Sequence, residues 1–228
     1  MCPTFFLDYF TSSEDYYHKP FFASFMRIIR VLAFFTSITL PALFIAVINY
    51  DPEILPISLL INFSEQRNNV PFPLIIEAFI LMLTFELLYE GDSRTPNNRG
   101  TSLSVLGALV LGDAAVQAGL ISPIMVIVVS ISAISSLIFI YHDIQGSIRF
   151  YKYFLMIMAA LFGIIGFIIG MQYFLLDICS IKTFGKPYTL PTSPYLKDDQ
   201  KDAYMKSSIK KIKKRPSYLT KKNIIKQR

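Results

Sequence analysis

The chain has 228 residues, 53% of them hydrophobic and only 17% charged, with a formal net charge of +6. That composition, with several long apolar runs, excludes an ordinary soluble domain and reads as an integral membrane protein. Cys2 and Cys179 stand at opposite ends and His18 and His142 far apart, so neither a disulfide framework nor a metal cluster is indicated. There is no GxSxG, HExxH, P-loop or GxGxxG motif, and nothing argues for an enzyme or a cofactor.

The positive charge is concentrated at one end. Residues 180–228 carry 14 Lys and Arg against three Asp, a net +11, whereas residues 1–179 carry eight against 13, a net −5. A basic segment beside a membrane span reads as cytoplasmic and close to anionic lipid headgroups. It calls for no nucleic-acid partner.

Residues 1–19 lack the basic start and small-residue cleavage site of a signal peptide. Thr11-Ser12-Ser13-Glu14-Asp15 has the residues of a helix start. Lys19, Arg27 and Arg30 precede the apolar run 31–50, which favours a cytoplasmic segment over 1–26 and makes the two arginines interface anchors. Pro41 should kink this first span, with a neighbouring helix satisfying the carbonyl it frees.

Residues 51–100 are broken by Pro52, Pro56, Pro71 and Pro73 and carry a net −4. Within them 71–90 is a helix with proline at its start. Glu77 lies on one face and Glu86 and Glu90 on the other. A carboxylate at the centre of a lipid-facing helix costs about 2.5–3.5 kcal/mol, so an amphipathic or surface helix is expected, with Glu77 and Glu86 in the headgroups or against a partner.

Residues 101–120, TSLSVLGALVLGDAAVQAGL, are long enough to span yet crowded with small residues, among them Gly107, Gly112 and Gly119. Helical spacing puts Ser102, Val105, Leu109, Asp113 and Gln117 on one stripe. An aspartate at membrane depth must face water or a partner. The stripe suits a pore lined by Ser102, Val105, Asp113 and Gln117 with Leu109 as its apolar gate. It also suits a buried seam that holds a monomeric bundle together.

Ser122-Pro123 makes a tight connection to a third span, 124–140, and an external loop, 141–152, leads to a fourth, 154–176. The fourth holds Gly166 and Gly170 at GxxxG spacing, which permits close helix packing. Four spans put both ends on the cytoplasmic side; counting 71–90 as a fifth would place the +11 tail outside, against the positive-inside tendency. The expected architecture is an all-α integral membrane protein: a membrane domain over 27–178 and a basic tail, 179–228, held loosely on lipid.

Four blocks in order resemble the A subunits of spore germination receptors, the GerA family. They are SSEDYYHKPFFASFMRIIRVLAFFTSITLPALFIA from Ser12, VPFPLIIEAFILMLTFELLYE from Val70, SLSVLGALVLGDAAVQAGLISPIMVIVV from Ser102 and KTFGKPYTLP from Lys182. The resemblance implies a membrane subunit in the inner membrane of the dormant spore. It implies a permease-like B subunit and a lipoprotein C subunit as partners. It also implies a homo-oligomeric ring forming a nutrient-gated ion channel, with the helix SVLGALVLGDAAV lining the pore. Family members carry a large soluble domain before the first span, and this sequence is expected to represent the membrane domain alone, as a fragment, a split subunit or an inactive remnant. Asp113 stands where the family motif more often has glutamine, and a ring of aspartates favours cations. The competing reading is a small permease-like transporter that binds an ion through Asp113.

Overall fold

The computed structural model describes residues 5–94, 112–139, 142–195 and 206. Five helices are bounded within them: α1 (Pro20–Tyr50), α2 (Ile57–Arg67), α3 (Leu74–Arg94), α4 (Pro123–Leu137) and α5 (His142–Ser180). A further helical segment occupies 112–117. Two short strands, β1 (Lys182–Thr183) and β2 (Lys186–Pro187), form an antiparallel hairpin. Among the described residues, α1 and the Gln145–Ser180 part of α5 are long and apolar enough to cross a membrane.

Both helices begin earlier than the apolar runs suggest. α1 starts at Pro20, not at 31, and the expected loop 141–152 is helical from His142 onward. The Ser13–Tyr16 segment expected to open a helix forms a single 3-10 turn, with Ser12 before it donating its backbone N–H to Asp15 Oδ2 (3.1 Å).

The chain divides into two compact units. The first contains residues 5–35, 138–147 and the chain from 171 onward. Its core is aromatic. Phe34 (2% exposed) stacks edge-to-face with Phe6, Phe10 and Phe139, with centroids 5.4–5.7 Å apart, and meets Phe174 at 6.0 Å. Such pairs add about 0.5–1.5 kcal/mol each beyond area burial. The Phe6 N–H donates to Tyr188 O (3.0 Å), tying the segment before α1 to the segment after α5.

The second unit contains 36–137 and 148–170. Here α2 and α3 pack on α4, and Phe44 of α1 meets Phe63 of α2. Two helix interruptions fall in this unit, and each is covered by a hydroxyl from another helix. Pro41 has no N–H to give Ser37 O, and Ser132 Oγ of α4 donates to that carbonyl instead (2.7 Å). In α5, Gly163 leaves the helical region (φ 64°, ψ −143°). Tyr50 OH reaches Ala160 O (2.7 Å) and Leu161 O (3.0 Å), carbonyls whose helical donors lie beyond that break.

α3 packs through one face and exposes the other. Its outward face is Ile76, Phe79, Ile80, Leu83 and Leu87, all exposed and all apolar. Two of its carboxylates are engaged: Glu77 is fully buried, and Glu86 Oε2 pairs with Arg149 Nε of α5 at 2.6 Å, whereas Glu90 is exposed. Arg149 also sits over the Tyr89 ring at 5.2 Å.

Candidate functional site

Asp113 and Gln117 are one helical turn apart in the segment 112–117, and both are exposed. A Cβ on Gly112 would come within 3.9 Å of Val126 Cγ1 of α4, ordinary contact distance, so the segment approaches α4 at its glycine. Ser102, Val105, Gly107 and Leu109 lie outside the described residues.

The segment stops by a specific device. Gly119 takes φ +67°; its N–H donates to Val116 O (3.0 Å), and the Leu120 N–H donates to Ala115 O (3.0 Å). This pair of bonds is the Schellman motif, which satisfies the last carbonyls of a helix and favours glycine at the left-handed position. Gly119 is therefore a turn glycine and not a helix-packing one. The chain reverses through Ile121 and Ser122, and α4 begins with proline at its first position.

Glu77 of α3 holds this reversal. Its Oε1 accepts from both the backbone N–H and the hydroxyl of Ser122, the residue at the N-terminal cap of α4. A carboxylate there satisfies a free amide and complements the positive end of the helix dipole. Glu77 Oε2 is buried without a hydrogen-bond partner. The clamp joins residues 45 positions apart, which is why spacing along α3 alone did not find it. The signals were present: Ser-Pro is a helix-start pair, and Glu77 is a lone acid in an apolar run.

The remaining packing glycines act within α5. A Cβ on Gly166 would meet Met158 O at 2.2 Å and Phe162 Cβ at 2.7 Å, and one on Gly170 would meet Leu155 Cδ2 at 3.0 Å. Both close approaches are to residues of the same helix on the far side of Gly163, not to a second helix.

A second polar centre lies in the first unit. Asp15 (2% exposed) accepts from Arg27 Nε at 3.2 Å and from Arg30 Nη1 and Nη2 at 2.7 and 3.0 Å. Burial alone would raise the Asp15 carboxyl, but the bonds from Arg30, Ser12 and Arg27 together hold it below the usual carboxylate value. Arg27 is fully buried, so it is a partner of Asp15 and not an interface anchor. Among the described residues no group of three or more His, Cys, Asp or Glu could hold a metal ion.

With this geometry in place, comparison with known proteins is direct. Residues 1–218 match the family model described as Bacillus/Clostridium GerA spore germination protein. Spore germination protein KA of Bacillus subtilis (strain 168) is 37% identical over 227 residues, covering all of this chain and 42% of the relative. The uncharacterized membrane protein YfkQ of the same organism is 37% identical over 93% of this chain and 41% of its own length. Spore germination protein GerLA of Bacillus cereus is 30% identical over 98% of this chain and 45% of its own. The chain thus spans under half the length of these curated relatives, and no solved structure matches it. The family match covers both units and the Asp113 segment alike: this chain belongs to the GerA family of spore germination proteins.

Proposed function

We propose that this chain forms the membrane portion of a nutrient-sensing germination receptor in the inner membrane of the spore. Several copies surround an ion path lined by Ser102, Val105, Leu109, Asp113 and Gln117, which opens when the germinant binds. A permease-like B subunit carries the nutrient site and a lipoprotein C subunit completes the assembly. Family membership supports the germination role.

The observation that carries the channel reading is the exposure of Asp113 and Gln117 one turn apart on a segment rich in small residues. A polar edge at membrane depth requires water or a partner. The clamp from Glu77 to Ser122 fixes the end of that segment, as a pore-lining helix needs. Four membrane crossings fit the packing of the segment before α1 against the segment after α5, because ends on one side require an even number.

Bilayer recordings on the chain reconstituted with its B and C partners test the proposal. A nutrient-dependent current is expected. A fully assembled receptor that stays electrically silent at every nutrient concentration would overturn it.

A further inference from the structure

The tail residue Lys206 is not solvated: it is 4% exposed. Its backbone N–H donates to Ser24 Oγ (2.9 Å), and the Ser24 hydroxyl in turn donates to Pro20 O (2.8 Å), in the first turn of α1. Its ammonium donates to Asp15 O (2.6 Å) and sits 4.9 Å from the centre of the Tyr16 ring. Backbone and ammonium are thus both engaged by residues that precede or open α1.

We propose that Asp15, Tyr16 and Ser24 form a lysine socket that docks the C-terminal tail of this same chain, with Lys206 as the residue it recognises. The chemistry selects a lysine. A compact ammonium with three donors fits a carbonyl and an aromatic face together, and a burial this deep excludes a freely moving side chain. The Asp15 carboxylate is already held by Arg27 and Arg30, so the socket offers lysine a carbonyl and a ring, not a salt bridge.

The same arrangement makes the docking reversible. Arg27 also lies over the Tyr16 ring, at 5.9 Å, so Lys206 enters beside a like charge. Lys206 is held by neutral groups, the Asp15 carbonyl and the Tyr16 ring, against the repulsion of that neighbouring guanidinium. Anionic headgroups compete for the same lysine. Lys206 is therefore a latch point fastened to the start of α1.

Limited trypsinolysis of the full chain in vesicles tests this, reading cleavage after Lys201, Lys206 and Lys210 by mass, each relative to the same bond in the urea-unfolded chain. Lys206 should be cut about tenfold more slowly than its unfolded reference in neutral phosphatidylcholine vesicles. Ser24→Ala and Tyr16→Leu keep Lys206 as a cleavage site but should abolish most of that protection. Continued protection of the bond after Arg30 serves as the check that each variant is folded. Should a variant fail that check, Ser24→Thr, which keeps the hydroxyl, gives the second reading and should retain the protection. Cutting at Lys206 as fast as in unfolded chain, or loss of protection in a folded Ser24→Thr variant, overturns the socket. So does protection that appears only with phosphatidylglycerol and ignores both substitutions, since lipid would then be holding the tail.

Discussion

The Ser132 hydroxyl donates to the Ser37 carbonyl, and Pro41 is the reason that carbonyl needs it. Both serines are fully buried. In an apolar surrounding no water can substitute, so the bond is a local requirement of carrying proline inside a buried helix. Ser132→Ala should cost about 1 kcal/mol, the scale of interhelical hydrogen bonds in membranes. In a Pro41→Ala background the Ser37 carbonyl regains its own donor, and the cost of Ser132→Ala should largely vanish. A double-mutant cycle on thermal unfolding in detergent checks this; equal costs in both backgrounds would separate the two residues.

Gly163 meets the same need in a different way. Its φ of +64° suits glycine, and an added Cβ would meet the Tyr50 ring at 2.7 Å. Gly163→Ala should cost about 2 kcal/mol or more, from left-handed strain plus the displaced ring. Tyr50→Phe removes only the hydroxyl that covers Ala160 O and Leu161 O, and should cost about 1 kcal/mol. A Gly163→Ala variant as stable as the parent would show that the break is not held by Tyr50.

The Asp15 centre has a pH signature. The carboxyl is held below its ordinary value, so the folded state favours the ionised form. Its contribution is fully present above the ordinary carboxylate value and is lost as pH falls through the depressed one. Unfolding midpoints measured from pH 7 down to about 3 should therefore fall at the acid end, and Asp15→Asn should flatten that fall. Asp15→Ala, which strands Arg27 in the interior, should cost about 3–5 kcal/mol at neutral pH. An acid limb of identical slope in Asp15→Asn would assign the loss to other groups.

Glu77 links α3 to the end of the Asp113 segment. Glu77→Ala leaves the Ser122 amide without its acceptor and should lower stability by about 1–3 kcal/mol. Glu77→Gln keeps an acceptor oxygen and should lose less. Hydrogen exchange at residues 118–122 is the direct readout: faster exchange is expected in Glu77→Ala, and unchanged protection there would free the turn from α3.

The sequence made some of this legible and hid the rest for one physical reason. The apolar runs located α1 and α5, Pro41 announced a freed carbonyl, and Ser122-Pro123 announced the tight reversal. What was misplaced were charges. Arg27 and Arg30 shortened the expected first span because they were read as facing headgroups, yet both pair with Asp15. The polar stretch 141–152 between two apolar runs reads as a loop, yet Arg149 pairs with Glu86 and the helix runs through from His142. Glu77 and Glu86 of α3 were expected in headgroups or against a partner, and both find partners far along this chain. Periodicity reports which face a charge is on, and only tertiary structure reports what waits for it there. Gly119 was misread differently: a glycine near a helix end serves a turn as readily as a packing face.

Exposure of Asp113 and Gln117 to water in the assembled protein is the claim on which the channel reading turns. The direct measurement places single cysteines at Leu109, Asp113 and Gln117, with Cys2 and Cys179 replaced by serine, and follows labelling by a charged aqueous thiol reagent in assembled receptors. Labelling at 113 and 117 accompanied by loss of nutrient-dependent ion release, with Leu109 reached only after nutrient is added, is the predicted result. Cysteines at 113 and 117 that stay unlabelled in both closed and nutrient-activated receptors would contradict it.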